Sequence, residues 1–205
     1  MTTVEARTIG EAWLETARRI LADGAAATYD GERTKELALA TLVVTEPDPE
    51  DETIARHADA EWLDWMRRNF TEPDDVPELG GARSYARRLR DYGGRDQIAW
   101  VVRRLADPEC RSAAITTLEP HTDTTYVPCI SLLDFWRVSG ALDLVVYAHS
   151  LDFGKKAYGN LVELARLQHE VAGRVAVPVG TLVIHAKSAH VYEPELELMA
   201  EVTAA

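Results

Sequence analysis

The hydrophobic pattern of this chain changes period near residue 112, and that change limits the folds open to it. Upstream, apolar residues recur at helical spacing. Trp13, Leu14, Ala17, Ile20 and Leu21 mark an amphipathic helix over 8–23, which Gly24 stops. A further helix is expected near 53–70, with Trp62, Leu63, Trp65 and Met66 on its buried side. Two basic helices follow near 82–91 and 96–106, parted by Gly93 and Gly94. Leu37 to Thr45 reads as a strand ended by Pro47 and Pro49, and Thr71 to Gly81 as a loop. Downstream the pattern is β-rich: Ser112 to Leu118, Cys129 to Val138 and Ala141 to Ser150, the last two joined by a Ser139-Gly140 hairpin turn. A helix near 158–173 and a strand from Gly180 to Tyr192 complete the order. It predicts an α+β protein with a large mixed β-sheet flanked by helices. A length of 205 residues fits a single domain over 1–205.

Charge narrows the partners. A net charge of −12 opposes non-specific contact with nucleic acid or anionic membranes, but a local group of arginines can still hold one small anion. No stretch approaches the length of apolar sequence that spans a bilayer, and Met1 to Arg7 lacks the apolar core of a signal peptide. Two cysteines, Cys110 and Cys129, make no disulfide framework, so a cytoplasmic protein is expected. His185 and His190 fall on opposite faces of the last strand, and neither HExxH nor a paired CxxC occurs, so no metal is expected.

Taken alone, Cys129 is a small residue opening an apolar strand, and burial is the ordinary fate of such a residue. Its setting adds more. Tyr126-Val127-Pro128-Cys129 is followed, without a gap, by Ser150 and Asp152, then Asn160, then Ala189-His190-Val191-Tyr192. Asp152, Asn160, His190 and Tyr192 stand 23, 31, 61 and 63 positions after the cysteine. This ladder resembles the thymidylate synthase family, with its Pro-Cys, Arg-Ser-x-Asp and His-x-Tyr motifs and its base-reading asparagine. Upstream, Trp13 to Gly24 and Glu32-Arg33-Thr34-Lys35-Glu36-Leu37 resemble the N-terminal helix and flexible Arg-Thr loop of the shorter archaeal-type members. Asp107-Pro108-Glu109-Cys110-Arg111 resembles the turn before the phosphate arginines, and Tyr85 the active-site tyrosine.

The resemblance implies a homodimeric one-carbon transferase. In such an enzyme a cysteine thiolate adds to C6 of a pyrimidine, and C5 then takes a carbon from 5,10-methylene-tetrahydrofolate. By matching position Cys129 is the nucleophile and Tyr85 belongs to the catalytic group. Asn160 reads the base, since an amide offers donor and acceptor together. His190 and Tyr192 contact the sugar hydroxyl. Ser150, Arg33 and Arg111 hold the phosphate, Arg111 from across the dimer interface, and Asp152 and Trp62 lie on the folate side. Each has an ordinary structural alternative: a helix cap for Asn160, a sheet residue for His190, surface charges for the arginines, a turn for Asp152.

Several positions depart from the family. His149 stands where the family keeps an arginine that touches phosphate and the catalytic sulfur, Ser112 replaces the second arginine of the pair after Arg111, and Ile130 the histidine after the nucleophile. The segment between Leu37 and Trp62 is compressed, and Glu61, with Glu36 second, is the best match to the general-base glutamate. The substrate expected is dUMP or UMP. A CMP or dCMP hydroxymethylase is the alternative, and a non-catalytic nucleotide-binding relative a third reading.

Overall fold

The computed structural model describes residues 1–124 and 126–204. An eight-stranded mixed sheet forms its centre. The strands are β1 (Thr2–Ala6), β2 (Ala25–Tyr29), β3 (Glu32–Val44), β6 (Ser112–Thr116), β7 (Ile130–Val138), β8 (Ala141–Ala148), β9 (Leu151–Asp152) and β10 (Val179–Tyr192). The order is β1-β3-β10-β8-β7-β6, with β2 paired to β3 and β9 to β10. Strands β4 (Asp75–Val76) and β5 (Ala82–Arg83) form a separate small ribbon. The helices are α1 (Ile9–Asp23), α2 (Glu52–His57), α3 (Ala60–Thr71), α4 (Tyr85–Arg90), α5 (Gln97–Leu105), α6 (Ala157–Arg174) and α7 (Leu196–Ala204). Among the described residues no helix is long and apolar enough to cross a membrane.

The α+β class and the large mixed sheet agree with the sequence expectation. Helix α1 begins at a capping box, with Thr8 accepting from the Glu11 N–H, and stops where the Gly24 N–H donates to the Ile20 carbonyl at 2.9 Å. Ser139 and Gly140, with φ of 52° and 86°, make the β7–β8 turn. The helix expected over 53–70 is instead two. Asp59 accepts from the Glu61 and Trp62 N–H groups and so caps a new helix, α3, two residues after α2 ends. The strand expected from Leu37 starts at Glu32, because Asp30 and Gly31, at φ of 51° and 84°, fold Ala25–Tyr29 back onto it. The Arg-Thr segment is thus strand rather than flexible loop. Strands β1, β2, β4, β5 and β9 and helix α7 lie outside the sequence expectation, and the helix expected over 82–91 starts only at Tyr85, after β5.

One core runs from Val4 to Met199 and fills the helix-covered face of the sheet. Its ties include the Trp13 indole N–H, which donates to the Phe153 carbonyl at 3.0 Å and fixes α1 against the segment after β9. The ladder between β3 and β10 skips Leu39 and Lys187, and Leu39 takes a φ of 56°. Such irregularities bend a strand and re-aim its side chains. Past the bend, Ala189 and Val191 belong to the core, while His190 and Tyr192 line a cleft on the other side.

Candidate active site

The cleft lies where the C-terminal ends of β8 and β10 meet the start of α6. Cys129 lines it just ahead of β7, where the β7–β8 register shifts between Ile130 and Leu132. Two contacts fix the cysteine backbone region. The His149 N–H donates to the Cys129 carbonyl at 2.6 Å, and the Ile130 N–H donates to the Tyr85 hydroxyl oxygen at 2.9 Å. The Ser150 hydroxyl donates to the Cys129 sulfur at 3.7 Å. Burial pushes the Cys129 thiol up, while Ser150, the Lys156 charge and Tyr126 pull it down. Burial first, then the cysteine charge, also raises Tyr85 well above the usual phenol range, so this tyrosine keeps its proton at neutral pH.

Asn160, in the first turns of α6, is almost wholly buried, with its amide nitrogen 3.3 Å from the Met66 sulfur. A thioether is a weak acceptor, so the amide is free to turn to a better partner. Asp152 ends β9. Its carboxylate accepts from the Gly154 and Lys155 N–H groups at 3.0 and 3.3 Å, yet burial raises its pKa to about 6. His190 meets Ser188 through Nδ1 at 3.1 Å, and its Nε2 is buried without a partner among the described residues. Burial lowers the His190 pKa to about 4, so the ring is neutral at pH 7. Tyr192 meets that ring edge-on at 5.0 Å, and burial raises its hydroxyl pKa.

Cys129, Tyr85, Ser150, Asp152, Asn160, His190 and Tyr192 therefore converge on one cleft, although they come from seven points along the chain. The other expected residues do not. Arg33 is exposed and meets Glu193 at 3.7 Å, because the β2–β3 hairpin turns it away from the cleft. Arg111 is exposed just before β6, where its carbonyl accepts from the Arg137 N–H. His149 is drawn aside by Lys187, whose Nζ lies 3.0 Å from Nδ1, and burial together with that ammonium lowers its pKa. Glu61 is exposed on the first turn of α3, one turn before Trp65, and does not line the cleft. Glu36 is paired with His190 across β3 and β10. Trp62 stands behind Trp65, edge to face at 5.6 Å, and it is Trp65 that lines the cleft.

Residues that motif reading missed include Tyr29, which stacks on His190 at 4.6 Å, and Asn69, whose side-chain oxygen accepts from the Tyr85 N–H at 2.9 Å. The Asp30-Gly31 dipeptide, a two-residue turn signal, is the clue that could have placed Tyr29 at a hairpin tip.

Comparison with known proteins agrees with this arrangement. The family model described as thymidylate synthase matches residues 14–204. A relative from Methanopyrus kandleri, named provisionally as a thymidylate synthase, is 31% identical over 204 residues, covering 94% of this chain and 94% of its own length. One from Methanothermobacter marburgensis, named in the same way, is 29% identical over 219 residues, covering 95% and 94%. The thymidylate synthase of Enterobacteria phage T4 is 30% identical over 122 residues, covering 58% of this chain and 42% of its own. With the match running almost end to end and the motif residues gathered in one cleft, the chain belongs to the thymidylate synthase family and is a one-carbon transferase.

Proposed function

We propose that this enzyme transfers a one-carbon unit from methylene-tetrahydrofolate to C5 of dUMP or UMP through an adduct between Cys129 and C6. The observation that carries the reading is the convergence of Cys129, Ser150, Asn160, His190 and Tyr192 on one cleft. The sulfur–C6 bond forms as the C5–C6 π pair moves toward the base carbonyl, which makes C5 nucleophilic. After C5 has taken the carbon, loss of the C5 proton breaks the bond from that carbon to the folate nitrogen and leaves an exocyclic methylene. Hydride from the reduced folate, or water, then adds to it, and the electrons restore the C5–C6 double bond as the thiolate leaves. Asn160 reads the polar edge of the base. Neutral His190, with Nε2 open, and the Tyr192 hydroxyl take the sugar hydroxyl. Ser150 meets the phosphate, with the partner subunit's Arg111, while Arg33 and His149 are held away by Glu193 and Lys187. Tyr85, being neutral, orients groups near C5 and does not act as an anion.

The folate fits the residues present. Trp65 and Leu79 give the cleft an apolar rim, and buried Asp152 offers a carboxyl beside it. When bound, the folate supplies the carbon. The second reading, a CMP or dCMP hydroxymethylase, rests on Asn160, whose amide can turn to present donor or acceptor to either base. Incubation with methylene-tetrahydrofolate and dUMP, UMP, dCMP or CMP separately decides by product mass. A uracil monophosphate is expected to give product; product from cytosine nucleotides alone transfers the assignment to the second reading, and none from all four sinks both.

A homodimer is part of the proposal, as are a single domain over 1–205, supported by the one continuous core, and a cytoplasmic setting, supported by two free cysteines. The face of the sheet away from the helices carries Leu132, Trp136 and Tyr147, each 41–42% exposed, with Val145 and Val183 between them. Asp134, on the same face, has a buried carboxylate oxygen without a partner among the described residues. A second copy packed on this face by a two-fold covers an apolar patch that monomers rarely leave bare. Trp136→Glu is expected to weaken the dimer by roughly 100-fold or more. Sedimentation checks this, and a wild-type chain that is monomeric at every concentration removes the idea.

A further inference from the structure

The cleft is short of positive charge. His190 is neutral, Arg33 and His149 are held elsewhere, and Lys155 is paired with buried Glu195. Among the described residues lining the cleft, Lys156 is the one lysine or arginine. It sits at the N-cap of α6, where its N–H donates to the Asp152 carbonyl at 3.0 Å. Its ammonium lies 5.3 Å from the Trp62 ring and 5.6 Å from the Trp65 ring. Two indole faces at that range attract an ammonium and limit where a long flexible side chain can go. The charge is therefore kept at the wall of the cleft that also holds Cys129.

We propose that Lys156 is the cation that stabilises the Cys129 thiolate, a positioning residue that takes over from the arginine the family keeps ahead of Ser150. This rests on the reading of Cys129 as nucleophile. The other ionisable groups lining the cleft are tyrosines, carboxylates and one neutral histidine. Tyr29 and Asp30 come from the β2–β3 hairpin, Tyr85 from α4, Tyr126 from the preceding loop, Asp152 from β9, and His190 and Tyr192 from β10. Helix α3 presents Trp65, Met66 and Asn69, none of them ionisable. Asp30 and Asp152 oppose a thiolate, so the positive side of the balance falls to Lys156.

The test is the pH dependence of Cys129 alkylation by iodoacetamide, without nucleotide, in a Cys110→Ser background. A cation favours the thiolate, so removing it moves the alkylation midpoint up. Lys156→Met is expected to raise it by about one unit, slowing alkylation roughly tenfold at pH values below both midpoints. Lys156→Arg is expected to restore the parent midpoint, which a purely structural role for the stem does not explain. Lys156→Gln has a shorter stem with a polar, uncharged end and is expected to behave like Lys156→Met. An unchanged midpoint in either variant, with an unaltered circular dichroism spectrum, overturns the proposal. Because alkylation needs no substrate, that failure is separate from failure of the nucleophile assignment, which is read by isotope exchange.

Discussion

Cys129→Ala is expected to abolish release of tritium from C5-labelled pyrimidine nucleotide, with a fall in turnover on the order of 10⁴-fold or more. The size follows from the chemistry. An sp² C5–H of a pyrimidine is not acidic, and its proton leaves only after a nucleophile has added at C6 and C5 has then taken an electrophile, a solvent proton or the folate carbon. No other thiol lines the cleft among the described residues: Cys110 lies in the turn after α5, 3.9 Å from the Asp107 carboxylate. Cys110→Ala is therefore expected to exchange tritium at the wild-type rate, which controls for general loss of thiol. The substitution at 129 deletes only a sulfur whose immediate neighbours, Ser150 and Tyr126, are themselves polar, so the cleft keeps its shape. Exchange that persists in folded Cys129→Ala protein would falsify the adduct mechanism, whatever nucleotide proves to be the substrate.

The part of the site after residue 126 was legible because it is written in a fixed order on strands and a helix whose patterns are strong. Once β7, β8, α6 and β10 are paired, the motif positions have little freedom to lie anywhere but together. The upstream half was less legible for physical reasons. Strand β2 is mostly alanine and has no alternating pattern; it is a strand because the Asp30-Gly31 turn folds it against β3. That same turn decides that Tyr29 enters the cleft and that Arg33 leaves it, an outcome no local periodicity contains. Likewise, the fate of His149 depends on Lys187, a residue far along the chain on a neighbouring strand. Glu61 carries the expected chemistry, but its place on the first turn of α3 follows from the Asp59 cap, which breaks the long helix that its spacing implied.

Arg88→Met is expected to lower the unfolding free energy by about 3–5 kcal/mol, the usual cost of removing one partner from a buried ion pair. Arg88 and Asp123 are 1% and 7% exposed and meet through two bonds of 2.7 Å. The guanidinium also donates to the Thr117 carbonyl at 2.7 Å and the Arg83 carbonyl at 3.0 Å. It thereby ties α4, which carries Tyr85, to the segment leading toward Cys129. Without it, Asp123 is left charged and poorly solvated. Removing that charge as well, in Arg88→Met/Asp123→Asn, is expected to recover part of the loss, giving a coupling of about 1–3 kcal/mol in urea denaturation at one protein concentration. Acid supplies an independent check. Burial alone raises the Asp123 carboxyl, but the Arg88 guanidinium and the Glu119 N–H outweigh it and hold the group below its ordinary pKa. A lowered folded-state pKa contributes stability that is complete above the unfolded value, about 4, and is lost as pH falls through the lowered one. Over that acid window the wild type is expected to lose stability faster than Arg88→Met, so that their urea midpoints approach one another. Parallel acid titrations of the two proteins count against the pair as a source of stability and leave Arg88 with only its carbonyl contacts.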